Sequence, residues 1–176
     1  IWRPDGKKIG FLSAESGSMQ LWEMGINGEN KVQVSNIEGG MNGFAWSPDM
    51  KTIVFITDVK MEKDVHDLYP DLPLANALVY DELMYRHWDN WHDYAYSHIF
   101  IAPYTDGKLG EAKDIMPGEP WDSPLMPNGG MEQIAFSPDG RQIAYTCKKM
   151  KGRDYAVSTN SDIYLYDFTS GKTENL

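Results

Sequence analysis

One short phrase occurs three times in the chain and limits its fold more than any other feature. The copies read Trp2-Arg3-Pro4-Asp5-Gly6-Lys7, Trp46-Ser47-Pro48-Asp49-Met50-Lys51 and Phe136-Ser137-Pro138-Asp139-Gly140-Arg141. Each is an aromatic residue, a Pro-Asp pair and a basic residue. Proline pre-sets the first turn angle, aspartate can accept a hydrogen bond from its own backbone, and glycine tolerates positive φ, so each copy reads as a tight turn. An alternating apolar run follows every copy: Ile9 and Phe11, Ile53 and Phe55, Ile143 and Tyr145. The repeating unit is therefore strand, turn, strand.

The spacing of the copies selects the architecture. Pro48 follows Pro4 by 44 residues, the length of one four-stranded propeller blade. Pro138 follows Pro48 by 90 residues. Residues 59–96 do not read as strands, so the second interval is taken as one blade carrying an insertion. The expected fold is all-β, a partial β-propeller of about three four-stranded blades over residues 1–40, 41–118 and 119–176, with a loop-helix insertion at 58–96. Trp46 and Phe136 hold equivalent places beside their turns and are expected to pack between neighbouring sheets. The chain starts without methionine and both ends cut a repeat, which reads as a piece of a longer protein. Its unpaired edge strands would invite pairing with another chain, a possible edge-strand oligomer.

Composition excludes several partners. The 176 residues carry a net charge of −10 with no basic stripe, which argues against nucleic acid and anionic membrane surfaces. No run of about 18 apolar residues exists to span a bilayer. The single cysteine, Cys147, allows no internal disulfide and reads as a buried small hydrophobe on an inner strand.

Function is sought where the repeat breaks. Residues 58–73 read as loop and 75–91 as a helix, with Tyr80, Met84, His87, Trp88 and Trp91 on one face and Glu82 paired with Arg86 on another. Such a helix either packs its aromatic stripe on the sheets or presents acids and aromatics to a ligand. Lys148, Lys149, Lys151 and Arg153 form the one basic cluster, in a stretch read as loop up to Asn160. The four histidines, His66, His87, His92 and His98, lack metal-ligand spacing, so no metal and no cofactor are expected. There is no Gly-x-Ser-x-Gly elbow, phosphate loop or dinucleotide fingerprint, and no catalytic residue is assigned.

Two stretches sharpen the repeat into a resemblance. Residues 80–89 read Tyr-Asp-Glu-Leu-Met-Tyr-Arg-His-Trp-Asp, and residues 155–167 read Tyr-Ala-Val-Ser-Thr-Asn-Ser-Asp-Ile-Tyr-Leu-Tyr-Asp. With the Ser-Pro-Asp repeats they resemble the N-terminal propeller of dipeptidyl- and acylaminoacyl-peptidases of the prolyl oligopeptidase family, over essentially the whole chain. The resemblance implies a propeller that caps a C-terminal α/β-hydrolase domain, absent here, and gates access for short peptides. It implies acidic propeller side chains that hold the peptide's free ammonium. Glu82 or Asp89 is the expected holder, with Arg86, Trp88 and Trp91 shaping the pocket. The alternative is a Tol-type propeller scaffold that binds protein partners only. The compartment stays open between periplasm and cytoplasm, with the resemblance favouring the periplasm.

Overall fold

The computed structural model describes residues 1–176. The chain folds as three antiparallel sheets taken in sequence order. The first holds β1 (Lys8–Ser13), β2 (Gln20–Gly25) and β3 (Val32–Gln33). The second begins with β4 (Gly43–Trp46) and β5 (Thr52–Lys60). A long excursion then carries α1 (Val65–Leu68) and a small hairpin of β6 (Arg86–His87) and β7 (Asn90–Trp91). The chain returns as β8 (Ala95–Thr105), followed by the short strands β9 (Lys108–Leu109) and β10 (Lys113–Asp114). The third sheet is β11 (Ile134–Phe136), β12 (Gln142–Cys147), β13 (Asp162–Asp167) and β14 (Lys172–Asn175), with α2 (Gly152–Val157) between its middle strands.

The repeated phrase builds the same turn three times. Asp5, Asp49 and Asp139 each accept the backbone N–H two residues on, at 3.1 Å in every copy. The residue after each aspartate has positive φ: Gly6 at 68°, Gly140 at 71° and Met50 at 58°. Ser47 and Ser137 donate to their aspartates at 2.7 and 2.6 Å and accept the first N–H of the following strand at 3.0 Å. Arg3 replaces that serine in the first copy and grips Asp5 as an ion pair at 2.7 Å.

The second sheet is buried on both faces. Ile53 and Phe55 point into a core shared with the first sheet, with Leu21, Met41, Trp46 and Tyr104. Val54 and Ile56, alternating with them in sequence, enter a second core with Ile99 of β8 and with Ile143, Tyr145 and Tyr166 of the third sheet. An unbroken apolar run is what a doubly buried strand needs, because successive side chains alternate faces. Trp46 lies over Gly10 of β1, where a Cβ would fall inside the indole. Phe136 packs against the other core. Trp2, at the equivalent place in the first copy, has no sheet beside it and is 62% exposed. Cys147 is buried, and burial pushes its thiol up to about 12.

Polar ties cross between the layers. Glu23 on β2 is wholly buried and accepts from the Tyr104 hydroxyl of β8. Lys8 pairs with the same carboxylate at 3.3 Å, and Arg3 donates to the Tyr104 hydroxyl at 3.2 Å. His98 on β8 is also fully buried. Its Nδ1 lies 2.8 Å from Asp114 of β10 and its Nε2 lies 2.8 Å from the Glu119 carbonyl. Both partners are acceptors, so both ring nitrogens donate and the ring is an imidazolium. Burial pulls its pKa down, but the bond to Asp114 outweighs this and the net direction is upward.

The insertion corrects the sequence reading. Residues 75–91 form no helix, and the only helix between β5 and β8 is the single turn α1, capped by Asp64. Tyr80, Tyr85, Trp91 and Tyr94 stack on one another with ring centroids 5.5–6.1 Å apart. Trp88 and Tyr94 take φ of 52° and 66°, which a right-handed helix excludes. The aromatics stack on each other rather than on a sheet, with Tyr85 and Trp91 still exposed, so the helical face had no sheet to pack against, and an isolated helix is marginal in water. The 148–160 stretch is corrected too, since it contains α2. Lys148 turns inward to donate to the Tyr155 and Ser158 carbonyls, and Lys149 pairs with Glu119 at 2.7 Å.

Replacing Tyr104 by Phe deprives buried Glu23 of its hydroxyl donor. We expect a loss of about 1–3 kcal/mol, the cost of one unsatisfied buried polar group, read as a lower denaturant midpoint with an unchanged slope. An unchanged midpoint would mean the two sheets do not depend on this tie.

Candidate functional site: an acid-floored cleft beside the insertion

β5 and β8 stay paired out to Lys60 and Ala95, so a stretch of ribbon runs past the apolar core toward the insertion. A cleft of about 720 Å³ opens beside this extension. Asp58, Ala95 and Ser97 come from the extended strands, and Arg86, Asn90, Trp91, His92 and Asp93 from the inserted hairpin. The far wall combines the 122–130 crossover with Tyr155 and Ser158 around α2. A cavity of this size and mixed lining suits a small ligand. A smaller cavity of about 180 Å³ adjoins it, sharing Met84, His92, Asp122 and Tyr155.

Ser97 organises the floor. Its backbone N–H donates to Asp122 Oδ1 at 2.9 Å, and its hydroxyl donates to Asp58 Oδ1 at 2.6 Å. Asn42 donates to the other Asp58 oxygen at 3.0 Å. Two carboxylates from distant parts of the chain are thus held on one residue. Burial pushes the Asp122 carboxyl up to about 6, and the neighbouring Asp58 charge adds to this against the Ser97 bond and the nearby His92. At neutral pH the cleft floor is anionic, in surroundings that strengthen its bond to a cation.

The sequence candidates divide. Arg86 and Trp91 line the large cleft, with the guanidinium 5.3 Å from the indole centroid. Arg86 Nε also donates to the Trp88 carbonyl at 2.6 Å. Glu82 lines the smaller cavity, its carboxylate against Gly152 of α2. Trp88 is 71% exposed at the hairpin tip, and neither it nor Asp89 lines either cavity. The i,i+4 pairing of Glu82 with Arg86 is absent without the helix. Asp122, Asp58, Ser97 and His92 were missed. The available signal was Asp58 as the first charge after the apolar run of β5, and an acid set between Trp121 and Ser123-Pro124 in the crossover. No three His, Cys, Asp or Glu side chains cluster so as to hold a metal ion. No helix is long and apolar enough to cross a membrane.

Comparison with known proteins gives these features a setting. No protein-family model matches the chain. It is 50% identical over 175 residues to dipeptidyl-peptidase 5 of Porphyromonas gingivalis, covering 99% of this chain and 25% of the relative. It is 40% identical to dipeptidyl-peptidase 5 of Porphyromonas endodontalis with the same coverage. Among solved structures, acylaminoacyl peptidase of Pyrococcus horikoshii aligns with a TM-score of 0.61 and 15% identity, over 99% of this chain and 24% of that one. TolB of Acinetobacter baumannii aligns at 0.52 and 18% identity, over 99% and 30%. These structural likenesses carry the fold, that of β-propeller proteins. The chain is homologous to a segment of the dipeptidyl-peptidase 5 proteins, and the resemblance to prolyl oligopeptidase-family peptidases is borne out. The chain spans about a quarter of the length of those relatives.

Two groups with raised pKa make stability fall as pH rises, while hydrogen-bonded surface aspartates such as Asp5, Asp49 and Asp139, held below the usual carboxylate range, oppose them only at the acid end. The raised pKa of His98 makes its contribution full below its unfolded value and lost as pH rises through the folded one. Asp122, at about 6 in the fold, likewise favours the folded state at low pH, an advantage that fades as pH rises through 6. We expect unfolding free energy to fall between about pH 5 and pH 8, above the range where the depressed aspartates titrate, and Asp122→Asn to flatten the part near 6. A wild-type profile that rises over that range, or one the variant leaves untouched, would contradict the assignment.

Proposed function

We propose that the chain is the non-catalytic substrate-gating and recognition part of a serine exopeptidase that acts on short peptides. Its three sheets are read as consecutive blades of a propeller, with residues 61–94 inserted between β5 and β8 of the second. The exposed faces of the outer sheets would be covered by further blades or by a second copy. An α/β-hydrolase domain outside this chain would supply the nucleophile. The homology to dipeptidyl-peptidase 5 supports this reading over a Tol-type scaffold, for which the fold alone speaks.

The observation that carries the proposal is the Asp122–Ser97–Asp58 floor of the cleft. A peptide with a free N-terminus brings an ammonium, and a charge-assisted bond to a half-buried carboxylate is the strong kind. Holding that group at a fixed depth would count residues from the N-terminus and so set the length of the released fragment. Arg86 and Trp91 form the wall along which the peptide lies. Glu82 in the smaller cavity and Asp89 at the hairpin tip are secondary acids, and Trp88 shapes the entrance.

The test uses the full-length protein that contains the chain, with dipeptidyl chromogenic substrates and their N-acetylated counterparts. Asp122→Asn should raise KM for the free-amino substrate about tenfold or more, as loss of a charged hydrogen bond implies, and leave the acetylated one within about twofold. Glu82→Gln and Asp89→Asn should change either by less than about twofold, since neither group reaches the floor. Unchanged KM in both Asp122→Asn and Asp58→Asn would overturn the proposal. An effect confined to Glu82→Gln would move the ammonium site to the smaller cavity.

A further inference from the structure

His92 belongs to the wall of both cavities, as does Asp122. The ring is fixed by its surroundings. Its Nδ1 accepts the backbone N–H of Tyr94 at 3.0 Å, and the ring lies 4.7 Å from that of Tyr96. The backbone is held as well: the His92 N–H donates to the Tyr85 carbonyl at 3.0 Å, and its carbonyl accepts from the Tyr80 hydroxyl at 2.5 Å. An imidazole whose Nδ1 is an acceptor carries its proton on Nε2. That Nε2 is buried and has no partner in the protein. A buried N–H without an acceptor is costly, and native structures rarely keep one without a use for it.

The group beside it offers the complementary half. Asp122 gives one oxygen to the Ser97 N–H, and its second oxygen makes no hydrogen bond within the protein. His92 and Asp122 thus stand together at the junction of the cavities, where Asp122 keeps one oxygen free and the His92 Nε2–H, shielded from solvent, lacks an acceptor. The N-terminal residue of a peptide matches both, because its carbonyl oxygen lies three bonds from its amino nitrogen. A simple amine lacks the oxygen, and a free amino acid would set a carboxylate near Asp122.

We infer that His92 reads the carbonyl oxygen of the substrate's N-terminal residue through its Nε2–H while Asp122 holds the ammonium, so that the cleft selects α-amino amides over other amines. The inference rests on the peptide-gating proposal and adds to it a positioning residue and a chemical filter. Nothing in it requires His92 to exchange a proton with the substrate.

The experiment is calorimetric titration of the full-length protein at neutral pH with two probes. One is alanyl-alanine, and the other is a primary amine of similar length without the carbonyl. The wild type should bind the dipeptide about tenfold more tightly, because a site with a buried donor rejects an analogue that leaves it unpaired. His92→Phe should bring the ratio to about one while leaving amine affinity unchanged. His92→Gln, whose amide nitrogen reaches near the same place, should restore most of the ratio. A tenfold preference that survives in His92→Phe, or equal binding of both probes by the wild type, would overturn the inference and leave the peptide-gating proposal standing. Failure of the wild type to bind either probe would remove that proposal and this inference together. If His92→Phe does not fold, the wild-type ratio and the Gln variant decide.

Discussion

β5 is buried on both faces, and the rest of the molecule is arranged around that fact. Ile53-Val54-Phe55-Ile56 sends alternate side chains into two cores, so the first and third sheets must both lie against the second. Apolar burial of this kind is the main favourable term in folding, and here one short run supplies it to two interfaces. β8 shares the arrangement, with Ile99 in one core and Ala102 and Tyr104 in the other. Once the apolar run ends, the two strands continue as paired ribbon beyond both cores, under the insertion and the 122–130 crossover. Asp58 and Ser97 stand on that continuation, and the acid floor forms there. The cleft is thus a consequence of strands that are longer than the core they serve.

Polar groups at the layer boundaries are tied rather than left over. Glu23 and His98 are both fully buried, and each is answered by charged or hydrogen-bonding partners on a neighbouring strand or turn. Such groups specify which strands meet, since a misplaced neighbour would leave a charge unpaired. Asp122 differs from both. It keeps one oxygen unspent, and burial pushes its carboxyl up to about 6, the two features on which the proposed ammonium site rests.

The repeats were legible because the turn chemistry is local. Pro-Asp with a following positive-φ residue gave the same three hydrogen-bonded turns in the structure, down to Met50 in the place of glycine. The excursion between β5 and β8 falls where that spacing is interrupted, although the paired strands run to Lys60 and resume at Ala95, inside the 58–96 bounds read from the sequence. Its internal structure was not legible. Tyr80, Met84, His87, Trp88 and Trp91 have helical spacing, but spacing carries information only when a flat apolar partner exists, and here the aromatics had one another. The floor of the cleft was the least visible part. Asp58 and Asp122 carry only weak signals in sequence and Ser97 none, and their meeting depends on strand pairing and on a crossover whose path no local signal sets.

The central claim is that the Asp122–Ser97–Asp58 floor anchors the amino terminus of a peptide. The most direct measurement is a structure of the full-length protein with a dipeptidyl phosphonate attached to the serine nucleophile that the proposed function places outside this chain. The account predicts the inhibitor's ammonium at hydrogen-bond distance, about 3 Å, from a carboxylate oxygen of Asp122 or Asp58. An ammonium directed to bulk solvent, or paired with an acid outside this cleft, would contradict it.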